Sequence, residues 1–455
     1  MHDPAPSRRG LLKLLGGAAA AGAASQPVWR ALADEPTAPD EFFVLVHASG
    51  GWDVTLSLDP RNEAVGLIDP PSSEWVDTAT LRHWRDAPLD GDTTTFEMLR
   101  PRGTSLRLGP AVGNLLDIAD RITVINGLAM NTVSHPDGTF FVSTGRHLAG
   151  GRPVGPSVDT VLANEFGRTQ LFPSVSVQFP SAYVGGGLDP RAAPLKMASV
   201  DTVSRVLSRS NANTTAADRE AVTAMLSLES RDLLAREYHR EVMEGFSLQF
   251  GSLQQMLRSN LQAVFQTTAL RTAQPSFNYT ARFQSRAATN AAFAVEAMKR
   301  NVVRCVSFSM GGFDTHNANY RLQGLVQQEC FDAITALVRA LDAAPHPTRT
   351  GRRLSDHTHI LVVSDFCRTP QINTTGGRDH YPNGSALVIS PRFRGGVSYG
   401  ESDPGQLLPR PAGRFVDGMR PVAPPDVLAT FVHAFGVNPR RYLRDGEVVQ
   451  EVLRS

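Results

Sequence analysis

Three aspartates in this sequence each follow a run of apolar residues. Asp53 ends residues 41–48 by way of Ser49-Gly50-Gly51-Trp52, Asp314 ends residues 302–309 by way of Met310-Gly311-Gly312-Phe313, and Asp365 ends residues 359–363 by way of Ser364. His316 stands two positions after Asp314. His380 closes Gly376-Gly377-Arg378-Asp379-His380, shortly before a further apolar run at 386–389. Carboxylates brought together repel one another, and a divalent cation is the usual remedy. Oxygen mixed with imidazole suits zinc or manganese better than calcium, as one ion or two. A single Gly-Gly-aromatic-Asp turn is explained well enough by tight-turn glycines and an aspartate helix cap. Its repetition at two strand ends, with a histidine after the second, favours a site. Arg368 and Arg378 suit bidentate pairing with phosphate or sulfate and equally suit ordinary salt bridges. Trp52 and Phe313 read as packing residues, and His47, His147 and His359 as core histidines or supports behind a site.

Such a site needs strands that end at a common edge. Residues 41–48 form a continuous apolar run, the mark of a strand covered on both faces. Further strands are predicted at 122–127, 174–177, 302–309, 359–363 and 386–389. Helical stretches lie between them at 111–120 and 286–300, which predicts an α/β fold with a mostly parallel central sheet covered by helices on both faces. In open sheets of this kind ligands bind at the carboxyl ends of the strands, where these polar residues fall. Residues 216–265 repeat leucine and methionine at helical spacing and read as two or three helices, part of a helical insertion at about 216–300. The arginine- and proline-rich stretch 344–353 reads as a surface loop.

The chain has 455 residues, 41% hydrophobic and 20% charged, which allows a large core in one elaborated domain. Its 45 basic and 44 acidic residues give a formal charge of +1, without the basic excess a nucleic-acid binder needs. Three cysteines are too few for a disulfide framework, leave at least one unpaired and leave room for one bridge. Near the start, Ser7-Arg8-Arg9-Gly10-Leu11-Leu12-Lys13 is close to the twin-arginine export consensus. A Gly- and Ala-rich apolar run follows, then a small-residue cleavage site at Ala31-Leu32-Ala33. Residues 1–33 thus read as a signal peptide recognised by the twin-arginine export machinery, with no permanent membrane span and a periplasmic or secreted product.

The ordered signatures Gly-Gly-Trp-Asp (50–53), Gly-Gly-Phe-Asp-Thr-His (311–316), Ser-Asp-Phe-Cys-Arg-Thr (364–369) and Gly-Arg-Asp-His (377–380) resemble those of the domain-of-unknown-function 1501 family over about 41–440, leaving 441–455 as a tail. That family is grouped with the alkaline phosphatases, arylsulfatases and cofactor-independent phosphoglycerate mutases. The resemblance implies an alkaline-phosphatase-like fold with Asp53, Asp314, His316, Asp365 and His380 as metal ligands and Arg368 at the substrate. Ser134-His135 through Thr144-Gly145 is similar to a pair in the family, which makes Ser134 the implied nucleophile and His135 a site member. Thr132 and Thr139 are rivals, and a plain helix cap is the other reading of Ser134. A metal at a helix N-terminus would favour the Ser134 alkoxide. Two departures stand out: Phe366 follows Asp365 where related phosphatases often have histidine, and Cys367 stands where the family usually has glycine. The sulfatase Cys-x-Pro-x-Arg motif is absent. The resemblance implies an exported metal-dependent hydrolase of a small-molecule or polymeric phosphate or sulfate ester. The alternative is a catalytically degenerate member serving as a surface-assembly or binding protein.

Overall fold

Seven residues, Phe42–Ala48 (β1), are all buried, because the strand they form is covered on both sides. Phe42, Val44 and Val46 face one layer, with Phe293, Val295, Met298, Phe331 and Leu337. Phe43 and Leu45 face the other, with Phe141, Val161, Leu162 and Phe431. The period of two sorts one strand into two cores, as the unbroken apolar run predicts.

The computed structural model describes residues 40–61, 98–202, 220–221, 224–225, 261–279 and 286–454. The chain divides into Met1–Pro39 and Asp40–Ser455. The export signal, and most of the stretch 216–265 read as helices, fall outside the described residues.

The remaining strands of the main sheet are Ile122–Ile125 (β2), Phe172–Val177 (β3), Leu195–Met197 (β4), Val303–Met310 (β5) and Thr358–Ser364 (β6). After the two-residue strands Cys367–Arg368 (β7) and His380–Tyr381 (β8) come Ala386–Ile389 (β9) and Val397–Tyr399 (β10). The sheet order is β10-β2-β9-β6-β1-β5-β3-β4. Only β9 runs against its neighbours, β2 and β6. The helices that cover the sheet are His135–Thr144 (α1), Val158–Phe166 (α2), Thr267–Ala273 (α3), Ala287–Lys299 (α4), Asn319–Ala343 (α5) and Pro424–His433 (α6). Buried residues of α4 and α5 belong to the first core, and those of α1, α2 and α6 to the second.

The six strands read from sequence are present, and the helix read at 286–300 is α4. The stretch 111–120 differs. It is a 3₁₀ helix, Gly113–Arg121, because Gly113 enters it at φ 53 and Ile118 departs from helical angles. The 25-residue α5 has no counterpart in the sequence reading. Within the C-terminal stretch Val449 and Val452 are buried, and the Arg394 amide donates to the Val452 carbonyl at 2.8 Å. Cys305, Cys330 and Cys367 are all buried and unpaired.

Register fixes the edge that matters. Ala48 pairs with Met310 on one side and with Ser364 on the other, so β1, β5 and β6 end level. Because β9 is antiparallel, its beginning, Ala386 opposite Val363, lies at that same edge. His380 therefore reaches the edge ahead of its strand, whereas Asp314 and Asp365 reach it after theirs.

Candidate metal centre

Asp314 Oδ1 is the focus of the edge. It lies 3.1 Å from His316 Nε2, 3.4 Å from His135 Nε2 and 3.5 Å from His380 Nε2. His316 Nε2 and His380 Nε2 are 3.0 Å apart. Four ligand atoms placed tetrahedrally about 2.0–2.1 Å from one ion would be spaced by roughly 3.3 Å. The four spacings centred on Asp314 and on the His316–His380 pair, 3.0–3.5 Å, bracket that value, whereas His316 stands outside the group that His135 forms with Asp314 and His380.

The far side of each imidazole settles its tautomer. His380 Nδ1 is 2.8 Å from the Val133 carbonyl, which only accepts, so this nitrogen carries the proton. His135 Nδ1 donates to Asp365 Oδ2 at 2.7 Å, and His316 Nδ1 to Asp379 Oδ1 at 2.7 Å. In the neutral rings all three Nε2 lone pairs then lie beside one anionic oxygen, with those of His316 and His380 also facing each other. His135 Nε2 is buried and makes no hydrogen bond. Lone pairs pointed together around a carboxylate repel unless a cation joins them, and support of Nδ1 by a carboxylate or carbonyl is how metal-binding histidines are usually held. Among the described residues, the ligand atoms of His135, Asp314 and His380 all lie within 4.8 Å of one another, and those of Asp314, His316 and His380 form a second, overlapping group at 3.0–3.5 Å.

Each ligand is held by a different part of the fold. His135 opens α1, which packs directly over Asp365 because Gly138 has no side chain: a Cβ there would lie 2.3 Å from the Asp365 carbonyl oxygen. His316 follows β5. The loop that brings His380 lies against it at Gly377, where a Cβ would lie 1.9 Å from the His316 carbonyl carbon. The β7 and β8 ribbon pairs Arg368 with His380.

The structure brings together Asp314, His316, His380 and His135. Asp365 is not placed as a ligand. Fully buried, it accepts from Gly50 N, His135 Nδ1 and Thr139 Oγ1 and lies 2.5 Å from His47 Nε2, so its oxygens face supporting groups. Asp53 is also turned away. Its carboxylate is fully buried, accepts from Thr55 and Asn319 and pairs with Arg378 Nε at 3.3 Å, capping the short helix Val54–Leu56. The helix-cap reading holds for that turn. Arg368 does not reach outward to a substrate: Nε donates to the Gly51 carbonyl at 2.9 Å, Nη1 to the Arg378 carbonyl at 3.1 Å, and Nη2 to the Gly50 carbonyl and, at 2.6 Å, to Asp314. Its role is to hold Asp314. Ser134 is exposed and makes no capping bond to α1. It stands between Val133 and His135, both tied into the cluster. Trp52 and Phe313 are fully buried, as packing residues.

One support escaped the sequence reading. Asp379 holds His316, and its position one residue before His380 was the available signal. His47, read from sequence as a core histidine or a support, supports Asp365 from inside β1.

Charge follows this wiring. Burial works against ionisation of Asp365, but His47, His135 and the Gly50 amide outweigh it and drive its carboxyl far below the usual range. Asp314 is likewise opposed by burial and held low by Arg368, His135 and His316. The Asp365 hydrogen bond raises His135, whereas burial lowers His380. Side chains of Asp314 and His316 are 51% and 46% exposed, so the cluster opens to solvent on that side.

Comparison with known proteins gives a family without an assigned activity. The family described as "Protein of unknown function (DUF1501)" matches residues 42–448. No curated protein matches the chain. A solved structure titled "Crystal structure of Ps i-CgsB in complex with k-i-k-neocarrahexaose" is 12% identical, with 90% of this chain and 74% of that one covered, at a TM-score of 0.34. So distant a likeness carries no argument.

Proposed function

The chain belongs to the DUF1501 family, and from that premise we propose that it is an exported hydrolase with a single divalent metal ion, acting on a phosphate or sulfate ester. The observation that carries the reading is the approach of three imidazole Nε2 atoms to Asp314 Oδ1 at 3.1–3.5 Å on an open face, each ring supported from behind. The set of three nitrogens and one oxygen favours zinc, with manganese next. Asp53 and Asp365, needed for a second ion, are engaged elsewhere, which supports one ion. A mostly parallel sheet with its polar groups at the strand ends supports an alkaline-phosphatase-like arrangement, and the twin-arginine stretch supports export.

His135, His316, His380 and Asp314 would hold the ion, which would polarise an ester oxygen and lower the pKa of a neighbouring hydroxyl or water. Arg368 fixes Asp314, Asp365 fixes His135 and Asp379 fixes His316. Ser134, exposed at the start of the ten-residue α1 and next to His135, supplies the attacking hydroxyl. Its Oγ bonds to phosphorus or sulfur as the bond to the alcohol oxygen breaks. The Oγ proton passes to solvent and the departing oxygen takes one up. Water then releases the acid and restores Ser134.

Metal analysis of the purified protein, with an ester panel, tests this. We expect about one divalent ion per chain, lost in Asp314→Ala together with hydrolysis, and hydrolysis alone lost in Ser134→Ala. A chain that retains no divalent ion at micromolar concentration would sink the reading. The lack of a general base among the partners of Ser134 favours a second one, a binding protein on the same scaffold. An ion bound tightly with no ester turned over would select it.

A further inference from the structure

We infer that the site prefers esters whose reacting group carries one negative charge, a sulfate monoester or a phosphate diester, over the doubly charged phosphate monoester. The inference rests on the metal-centre reading above and adds the charge class of the substrate.

Sites that take phosphate monoesters usually meet the second charge with a guanidinium fork aimed at the ester oxygens. Here both arginines beside the cluster are fully buried and turned inward. Arg368 spends Nε and both terminal nitrogens on the carbonyls of Gly50, Gly51 and Arg378 and on Asp314. Arg378 donates to the carbonyls of Thr369 and Pro370 at 2.9 Å and to the Tyr320 hydroxyl at 3.2 Å, with Nε toward Asp53. Neither has an N–H directed at the open face.

The open face itself carries negative charge. Asp379, which holds His316 without joining the ligand group, has a side chain 55% exposed, and that of Asp314 is 51% exposed. Asp314, Asp365 and Asp379 together balance a divalent ion and the Arg368 guanidinium. A singly charged ester oxygen binds the ion without calling on other cations. A second negative charge finds no cationic side chain on the open face among the described residues and is repelled by Asp379, a discrimination of about tenfold for charges a few ångströms apart at a wet surface.

The test uses the full chain loaded with Mn²⁺, with binding read by water-proton relaxation at pH 8. Titrants are methyl phosphate, doubly charged there, dimethyl phosphate and methyl sulfate. Methyl phosphate should bind about tenfold more weakly than the better of the other two, and whichever of those is tighter identifies phosphorus or sulfur. Asp379→Asn keeps an oxygen acceptor for His316 and removes the charge, so it should raise methyl phosphate affinity relative to both. Methyl phosphate binding as tightly as the singly charged ligands, or a ratio unmoved by Asp379→Asn, overturns the inference. Failure of Mn²⁺ itself to bind would fell the metal-centre reading instead, and is seen before any anion is added.

Discussion

Asp53 and Asp314 end the same four-residue pattern at adjacent strand ends, yet one is sealed against Arg378 and the other faces solvent. The difference is measurable. Asp53→Ala leaves a buried guanidinium unpaired and should lower stability by about 3–5 kcal/mol in urea denaturation, with ion affinity per folded molecule nearly unchanged. Asp314→Ala should do the reverse. Asp365→Asn tests the support behind the ligands: ion affinity should fall about 10–100-fold in a chelator competition, with the four ligands intact. The sequence showed which side chains gather at the edge, since Asp314, His316 and His380 all follow from strand ends and motif order. It did not show rank. Whether a carboxylate touches an ion or supports the histidine that does depends on about 3 Å of placement, a distance that neither residue type nor spacing carries.

At the scale of elements, strands were legible because a sheet covered on both faces turns each strand into an apolar run. The long α5 was not, because its site-facing end buries amides. Asn319 donates to Asp53, Gln323 to the carbonyls of Gly51 and Phe313, and Gln327 to the Asp53 carbonyl, so a buried stripe looks polar. Strand direction was also hidden: β9 carries the same apolar signal as its parallel neighbours. The contact between α1 and the loop after β6 gives a prediction. Gly138→Ala would place a methyl 2.3 Å from the Asp365 carbonyl oxygen and must push α1 outward. Stability should drop by about 1–3 kcal/mol, and ion affinity should fall too, because His135 rides on that helix.

Across the whole molecule, the two ends of the sheet should respond to different solution variables. At the end opposite the site, buried Glu41 bonds His359 Nε2 at 2.8 Å and lies near His357 and Arg392. Burial opposes its ionisation, but His359 and His357 bring its carboxyl down to about 2. Burial also holds His359 below its ordinary value. Both groups take up protons more readily when unfolded, so stability should fall as pH drops below about 6.5 for the histidine, and below about 4.5 and on toward 2 for the glutamate. Glu41→Gln should flatten the glutamate part of that decline, on the order of 3 kcal/mol, in urea titrations across pH. At the site end, a divalent ion at a hundredfold excess over its Kd should add about 2.7 kcal/mol, a rise in Tm that a chelator reverses. The buried, unpaired cysteines turn these expectations into a built-in probe. Alkylating reagents attack the thiolate, and burial pushes all three thiols upward, so labelling must wait for opening. Cys305 reports on the centre of the sheet, Cys330 on the long helix and Cys367 on the ribbon that carries His380; if the proposed centre takes zinc, adding it should protect Cys367 first, a sequence readable by mass spectrometry of timed alkylation.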